Sequence, residues 1–248
     1  MNRIEALRSR GISCALYDDP INIRYLTGYT GEGSLLVLPD RAVIITDFRY
    51  VEQAQRQSPF CDLERVGADR GTNAILAEAL AKAGLHELAI EENIVTVSRL
   101  HAMEKALPGI HLTALPETVL EMRTVKDEGE LDCIRKALAI SCQAFDDLLG
   151  VIHAGMTEKR ACAELNHFMN LRGSEGNAFD TIVASGVNGS LPHAVPSDKV
   201  IEKGDLVTFD FGAKFGGYCA DMTRTIAIGE ISSELHAIYD AVLEAQLT

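Results

Sequence analysis

The chain has 248 residues, 47% hydrophobic and 24% charged, with 36 acidic against 23 basic side chains and a formal net charge of −13. That length holds one large domain or two ordinary ones, with ample apolar material for a core. The acidic balance argues against a nucleic-acid partner, which wants a basic stripe, and against an anionic membrane surface.

The N-terminal run Met1-Asn2-Arg3-Ile4-Glu5-Ala6-Leu7-Arg8 is charged and amphipathic, unlike a signal peptide, and no apolar run approaches membrane-spanning length. Ile12 to Tyr17 predicts a short strand ended by Asp18-Asp19-Pro20. Ser34 to Leu38 and Ala42 to Thr46 are apolar β-type runs joined by Pro39-Asp40-Arg41, which predicts a hairpin. Helices are predicted at Tyr50 to Gln57, at Thr72 to Ala83 with Gly84 as its stop, and at Val97 to Leu107. Asp62 to Val66, Leu88 to Ile90 and Ile110 to Leu115 predict strands. The first part is therefore a compact α/β domain, assigned to residues 1–123.

The texture changes near Thr124. Asp127 can cap a long helix, with Glu130 as its capping-box partner. Leu131, Ile134, Leu138, Phe145, Leu148 and Leu149 give this helix an apolar stripe to about Ile152. A second helix starts after Thr157 and ends at Gly173, and strands follow at Phe179 to Ala184, Asp205 to Phe211 and Tyr218 to Ile228. Ser233 to Leu247 predicts a last helix with Ile238, Val242 and Leu243 on its apolar face. This helix meets Thr248 without a stop signal, which suggests a truncation. Residues 124–248 form the second domain. The six cysteines, at 14, 61, 133, 142, 162 and 219, include no C-x-x-C pair. They are read as reduced, mostly buried thiols of a cytoplasmic protein.

The most informative stretch runs from Asp205 to Thr225. Two strands flank Gly212-Ala213-Lys214-Phe215-Gly216-Gly217, which reads as a hairpin loop. If the loop is centred between residues 215 and 216, Asp210 faces Asp221. Thr208 and Thr223 then share their face of the sheet. Opposed carboxylates lie roughly 5 Å apart at Cβ and repel, unless water or a cation separates them. Hard divalent cations take carboxylate oxygens, and a pair of them can activate one water. A solvated acidic hairpin is the simpler alternative. A kinase reading of Asp210-Phe211-Gly212 lacks an upstream Gly-rich loop and His-Arg-Asp loop, and the aspartic-protease reading wants an Asp-Thr-Gly-like loop.

The runs Ile182-Val183-Ala184-Ser185-Gly186, Asn188-Gly189-Ser190-Leu191-Pro192-His193, Gly204 to Gly212 and Gly217 to Thr225 closely resemble the Xaa-Pro peptidases. That family contains aminopeptidase P and prolidase and shares its fold with methionine aminopeptidase and creatinase. Asn22 to Tyr29 and Thr46 to Tyr50 look like its N-terminal domain. The resemblance implies a creatinase-like α/β domain followed by a pita-bread catalytic domain, here incomplete. It implies two divalent metal ions, manganese or cobalt first and zinc as a further candidate. It implies hydrolysis of the bond before proline in proline-containing peptides by a metal-bridging hydroxide. By position, Asp210 would bind one metal, Asp221 would bridge both, and His193 would steady the substrate or the tetrahedral intermediate. A homodimer without nucleic-acid or membrane partners is expected.

The family's site also needs a His and two Glu beyond the aspartates, and no such motifs follow Asp221. His236, Glu234 and Glu244 all fall on the final predicted helix, and His153 and His167 are read as structural. The chain as given is therefore expected to be inactive alone. A non-catalytic binding module of the same fold is the competing reading. A metal-free creatinase-type reaction is disfavoured by the Asp pair.

Overall fold

The computed structural model describes residues 2–248, which divide into two compact units, Met1–Val125 and Lys126–Thr248. In chain order the first contains α1 (Arg3–Ser9), β1 (Ala15–Tyr17), α2 (Pro20–Thr27), β2 (Ser34–Val37), β3 (Ala42–Asp47), α3 (Val51–Gln57), β4 (Asp62–Val66), α4 (Thr72–Ala83), β5 (Glu87–Ile90), α5 (Val97–Ala106), β6 (His111–Ala114) and α6 (Thr118–Thr124). Its six strands form one mixed sheet in the order β4-β3-β2-β1-β5-β6. β1 to β3 pair antiparallel and the outer strands add in parallel.

The central strands are buried on both faces, so they read as continuous apolar runs. Ala15, Tyr17, Leu35, Val37 and Ile44 pack with Ile4, Ile23, Leu26, Ala54 and Val119 of the helices on one side. Leu16, Leu36, Val43 and Ile45 pack on the other side with Ile75, Leu80 and Met103 of α4 and α5. The alternation follows from the two-residue period of a strand. The predicted hairpin is present, with Val37 opposite Ala42. α2 was not expected: Asp19 caps it by accepting from the Ile21 N–H, and Pro20 fills the first turn. The Asp19-Pro20 pair thus starts a helix as well as ending β1. α1 and α6 were likewise not predicted.

The second unit contains α7 (Glu128–Leu149), α8 (Glu158–Leu171), β7 (Ile182–Ser185), a 3-10 turn (Gly186–Ser190), β8 (Leu206–Phe211), β9 (Lys214–Phe215), β10 (Tyr218–Cys219), β11 (Met222–Ala227) and α9 (Ser233–Leu247). α7 opens with the expected capping box between Asp127 and Glu130. β11, β8 and β7 form an antiparallel sheet with β8 in the centre. Val207, Phe209 and Phe211 point from β8 into the core formed with Ile140, Ala144, Phe145 and Leu148 of α7 and Ala161, Leu165 and Met169 of α8. The ring of Phe145 stacks on Phe211 at 5.4 Å and meets Phe209 edge-on at 5.6 Å.

The buried stripe of α7 contains the expected Phe145 and Leu148 but otherwise differs from the predicted one. Ala137, Ser141 and Ala144 are buried, whereas Leu138 and Leu149 are exposed. Small residues let the helix approach the following hairpin closely, and the Ser141 hydroxyl accepts a hydrogen bond from the Ala213 N–H at 2.9 Å. α9 has no buried residue, and its Ile238, Val242 and Leu243 are exposed.

Candidate metal centre

The strand parity that buries Phe209 and Phe211 sends Thr208 and Asp210 to the opposite face of β8. On that face the Thr208 and Thr225 hydroxyls meet at 3.0 Å, and the Thr223 hydroxyl donates to Asp210 Oδ1 at 3.1 Å. Asp210 pairs with Thr223 and not with Asp221 as expected. The reason lies in the turn. Gly216 and Gly217 have φ of 61° and 82° and form its two central residues, with Phe215 opposite Tyr218. Two consecutive positive-φ residues are what a two-residue type I′ hairpin requires. The centre therefore falls between 216 and 217, and the ladder shifts by two residues.

A two-residue shift keeps every side chain on its face. Asp221 lies just before β11, one step beyond the Met222–Phe211 pair, so the register sets it level with Gly212. Asp210 and Asp221 become diagonal neighbours, a relation that spans about 7–8 Å in an antiparallel pair. The predicted continuous strand over Tyr218 to Ile228 is broken at Ala220-Asp221. There the Ala220 N–H bonds the Ala213 carbonyl at 2.9 Å.

Asp210 and Asp221 line a cavity of about 580 Å³ together with His193. Its other walls are Phe179 to Ile182 and Ala194 to Pro196. Three separate segments thus contribute the three predicted residues. Asp210 is half-buried, whereas Asp221 and His193 are exposed. Asp180 adds a third carboxylate to the lining, which the sequence reading did not single out.

The other histidines of the second unit stand apart from this lining. His153 lies in the turn between α7 and α8, where its Nδ1 meets the Ala154 carbonyl at 2.8 Å. His167 and His236 are on α8 and α9 and are exposed. Arg224 donates to the Thr223 carbonyl at 2.7 Å. Carboxylate oxygens suit a hard divalent cation. Among the described residues, however, no three His, Cys, Asp or Glu side chains gather closely enough to hold an ion. The aspartates fit such a cation in kind and supply only part of a coordination shell.

The segment that carries His193 is held from below by a residue the sequence reading missed. Glu158, in the first turn of α8, is fully buried. Its Oε1 accepts from the Ser185 N–H at 2.7 Å, the Ser185 hydroxyl at 2.9 Å and the Asn188 amide at 3.0 Å. Its Oε2 accepts from the Ser197 hydroxyl at 2.6 Å, the Ser197 N–H at 3.1 Å and Asn188 at 3.1 Å. Burial alone would raise the pKa of this carboxyl, but the hydrogen bonds from Ser197, Ser185 and Asn188 together hold it below the ordinary value. A Glu in the first turn of a helix is a common dipole partner, so its sequence position gave no sign of this role.

Comparison with known proteins identifies the family of each unit. The profile of metallopeptidase family M24 matches residues 132–248, and that of the creatinase/prolidase N-terminal domain matches residues 2–125. The fold is similar to that of an Xaa-Pro dipeptidase from Bacillus anthracis, with 39% identity and a TM-score of 0.92 over 99% of this chain and 70% of that one. An X-Pro aminopeptidase from Thermotoga maritima MSB8 superposes with a TM-score of 0.90 at 37% identity, over 98% of this chain and 70% of its own. In sequence, the Xaa-Pro dipeptidase of Pyrococcus furiosus is 32% identical over 230 residues, which are 92% of this chain. The chain spans 64% of the length of that Pyrococcus relative. It belongs to metallopeptidase family M24, with a creatinase/prolidase N-terminal domain.

Proposed function

We propose that this chain is part of a peptidase that hydrolyses the peptide bond before proline, with Asp210 and Asp221 as ligands of two divalent metal ions. The observation that carries the reading is the meeting of Asp210, Asp221 and His193 on one cavity from three separate segments. Relatives named Xaa-Pro dipeptidase and X-Pro aminopeptidase support the substrate class. Manganese or cobalt is the first choice of ion, and zinc is a further candidate. When bound, such ions supply the Lewis acidity that makes water a nucleophile at neutral pH. Asp221 and Asp210 would hold the ions, with Asp221 shared between them and Asp210 on one. Thr223 orients Asp210 by donating to its Oδ1, which leaves the second carboxylate oxygen for the cation. His193 lines the same cavity and would donate to the carbonyl oxygen of the scissile bond as charge grows there. The apolar walls, among them Phe179, Val195 and Pro196, would take the substrate side chains.

The two aspartates leave most of the roughly six positions of each hard cation to other ligands. The 248 residues alone therefore bind manganese weakly and do not turn over Xaa-Pro peptides. The six free thiols support a reducing, cytoplasmic setting. The partial ligand set among the described residues favours a second reading, a non-catalytic module of the same fold. Calorimetric titration with manganese and a proline-peptide assay test the proposal. Weak binding that Asp210→Ala and Asp221→Ala both abolish supports it. Binding that survives both substitutions refutes the metal assignment, and turnover by the 248-residue chain refutes the partial-site reading.

A further inference from the structure

We propose that Glu158 is the positioning residue of the His193 segment, its buried carboxylate tying both ends of residues 185–197 to the first turn of α8. The inference rests on the reading of His193 given above. Three observations carry it.

First, the carboxylate receives its hydrogen bonds from both sides of His193. Ser185 and Asn188 precede the histidine by eight and five residues, and Ser197 follows it by four. Each oxygen serves a different end: Oε1 takes both Ser185 donors and Oε2 both Ser197 donors, while Asn188 spans the two. An ionised carboxylate is an acceptor at both oxygens, so every contact is made with the correct polarity.

Second, the backbone around Glu158 is bonded to the same segment. The Glu158 N–H bonds the Lys199 carbonyl and the Lys159 N–H the Ser197 carbonyl, each at 3.1 Å. These are N–H groups at the start of α8 that have no partner inside the helix. The helix end and the loop satisfy each other, and the negative carboxylate sits where the helix dipole favours it.

Third, the tether is linked onward to β8, the strand of Asp210. Lys199 Nζ donates to the Ser185 hydroxyl at 2.9 Å and to Asp205 Oδ2 at 2.9 Å. Asp205 lies just before Leu206, the first residue of β8. Gly186 permits this approach, because a Cβ there would stand 2.6 Å from Asp205 Oδ1. The His193 wall and the Asp210 wall therefore share one polar frame centred on Glu158. Against this frame, residues 189–193 include four exposed side-chain-bearing positions and lack buried anchors of their own.

The test uses the 248-residue chain and the histidine ring signals in NMR, assigned with a His193→Asn variant. Glu158→Gln keeps the size but puts an NH2 group where a carboxylate oxygen accepted, so donors at one end of the segment face a donor. The expected result is broadening or doubling of the His193 ring signals, with those of His167 and His236 unchanged. Amide exchange at Ser185 and Ser197 should accelerate roughly 10–100-fold, the factor expected for losing hydrogen bonds to a charged group, while Val207 and Phe209 in β8 keep their protection. Ser197→Ala removes one donor without altering charge and decides the matter if Glu158→Gln fails to fold. It should broaden the His193 signals in the same sense, and add little in the Glu158→Gln background. Sharp, unshifted His193 signals in a folded variant would overturn the proposal. So would equal loss of protection across β8, the mark of a general structural role. Manganese added to the wild-type chain separates the two readings: a His193 ring that escapes paramagnetic broadening refutes its place at the metal centre and leaves the tether standing.

Discussion

Gly212→Ala is the substitution that most directly tests how the backbone sets Asp221. Gly212 has no left-handed conformation to maintain, so its requirement is space alone. A Cβ built there overlaps the Ala220 carbonyl oxygen outright, stands 2.7 Å from the Ala220 carbonyl carbon and 3.2 Å from the Ala178 Cβ. The obstructing atoms are backbone, so no rotamer change relieves them, and the oxygen would have to retreat by more than about 1 Å to reach ordinary contact. Ala220 is buried and held by its N–H bond to Ala213, and the Gly212 carbonyl is held by the Ala178 N–H at 2.8 Å. One added methylene costs about 1–3 kcal/mol where the neighbours can yield. With backbone on one side and the half-buried Ala178 on the other, we expect the top of that range, about 3 kcal/mol. For a domain of this size that is a fall in Tm of about 10 °C. The chain has no tryptophan, so urea unfolding is best followed by the amide signals of Val207 and Phe209. Gly189→Ala is the matched control in the same unit: a Cβ there meets nothing within 4 Å, and the change should stay within about 0.5 kcal/mol. Because Ala220 precedes Asp221, Gly212→Ala should also shift the Asp221 amide and weaken manganese binding. A variant with the wild-type urea midpoint and an unmoved Asp221 amide would refute the close-approach argument.

Phe145→Ala removes the ring that contacts both Phe209 and Phe211, and should cost about 3–5 kcal/mol by urea unfolding; a loss under about 1 kcal/mol would contradict the packing described. Asp221→Ala should lower manganese affinity in calorimetry more than His193→Ala, and equal losses would contradict the bridging assignment. The pKa of Glu158 is held below its ordinary value, so its stabilisation is present above the unfolded-state value of about 4.3 and is lost as pH falls through the lower folded value. The stability deficit of Glu158→Gln should accordingly be largest near neutral pH and shrink in acid below that range; a deficit independent of pH would refute the linkage. Burial pushes the thiols of Cys14 and Cys61 up to about 11, whereas Cys142 and Cys219 are exposed. A thiol reagent at pH 8 should label Cys142 and Cys219 first, and early labelling of Cys61 would contradict its burial.

Elements whose cause is local were legible in the sequence. The capping box at Asp127 and Glu130 fixed the start of α7, and Gly84, with φ of 65°, ends α4 where its predicted stop lies. The hairpin at Pro39 to Arg41 followed from turn chemistry between two apolar runs. What escaped has a different origin. Asp19-Pro20 carries two meanings, strand end and helix start, and only the packing of Ile23 and Leu26 against the sheet separates them. Phe145 and Leu148 of the expected α7 stripe are buried, but Ala137, Ser141 and Ala144 escaped because they are selected for closeness and not for hydrophobic mass. A stripe that also takes in Leu138 and Leu149 therefore spreads beyond the true interface.

The hairpin shows how an error in register can leave the convergence of two side chains intact. Placing the turn one residue too early moved the partner of Asp210 by two positions, from Thr223 to Asp221. Side chains alternate with a period of two, so that error changes neighbours and preserves faces. The convergence of the two aspartates on one cavity follows from parity alone. Their separation and the roles of Thr223 and Gly212 depend on the register itself. Glu158 lies beyond either argument, because its six hydrogen bonds come from residues 27 to 39 positions away. No local pattern marks a carboxylate as buried when its partners are assembled only by the fold. The shared face of the two aspartates was readable because their spacing repeats the hairpin, whereas Glu158 answers to the tertiary structure.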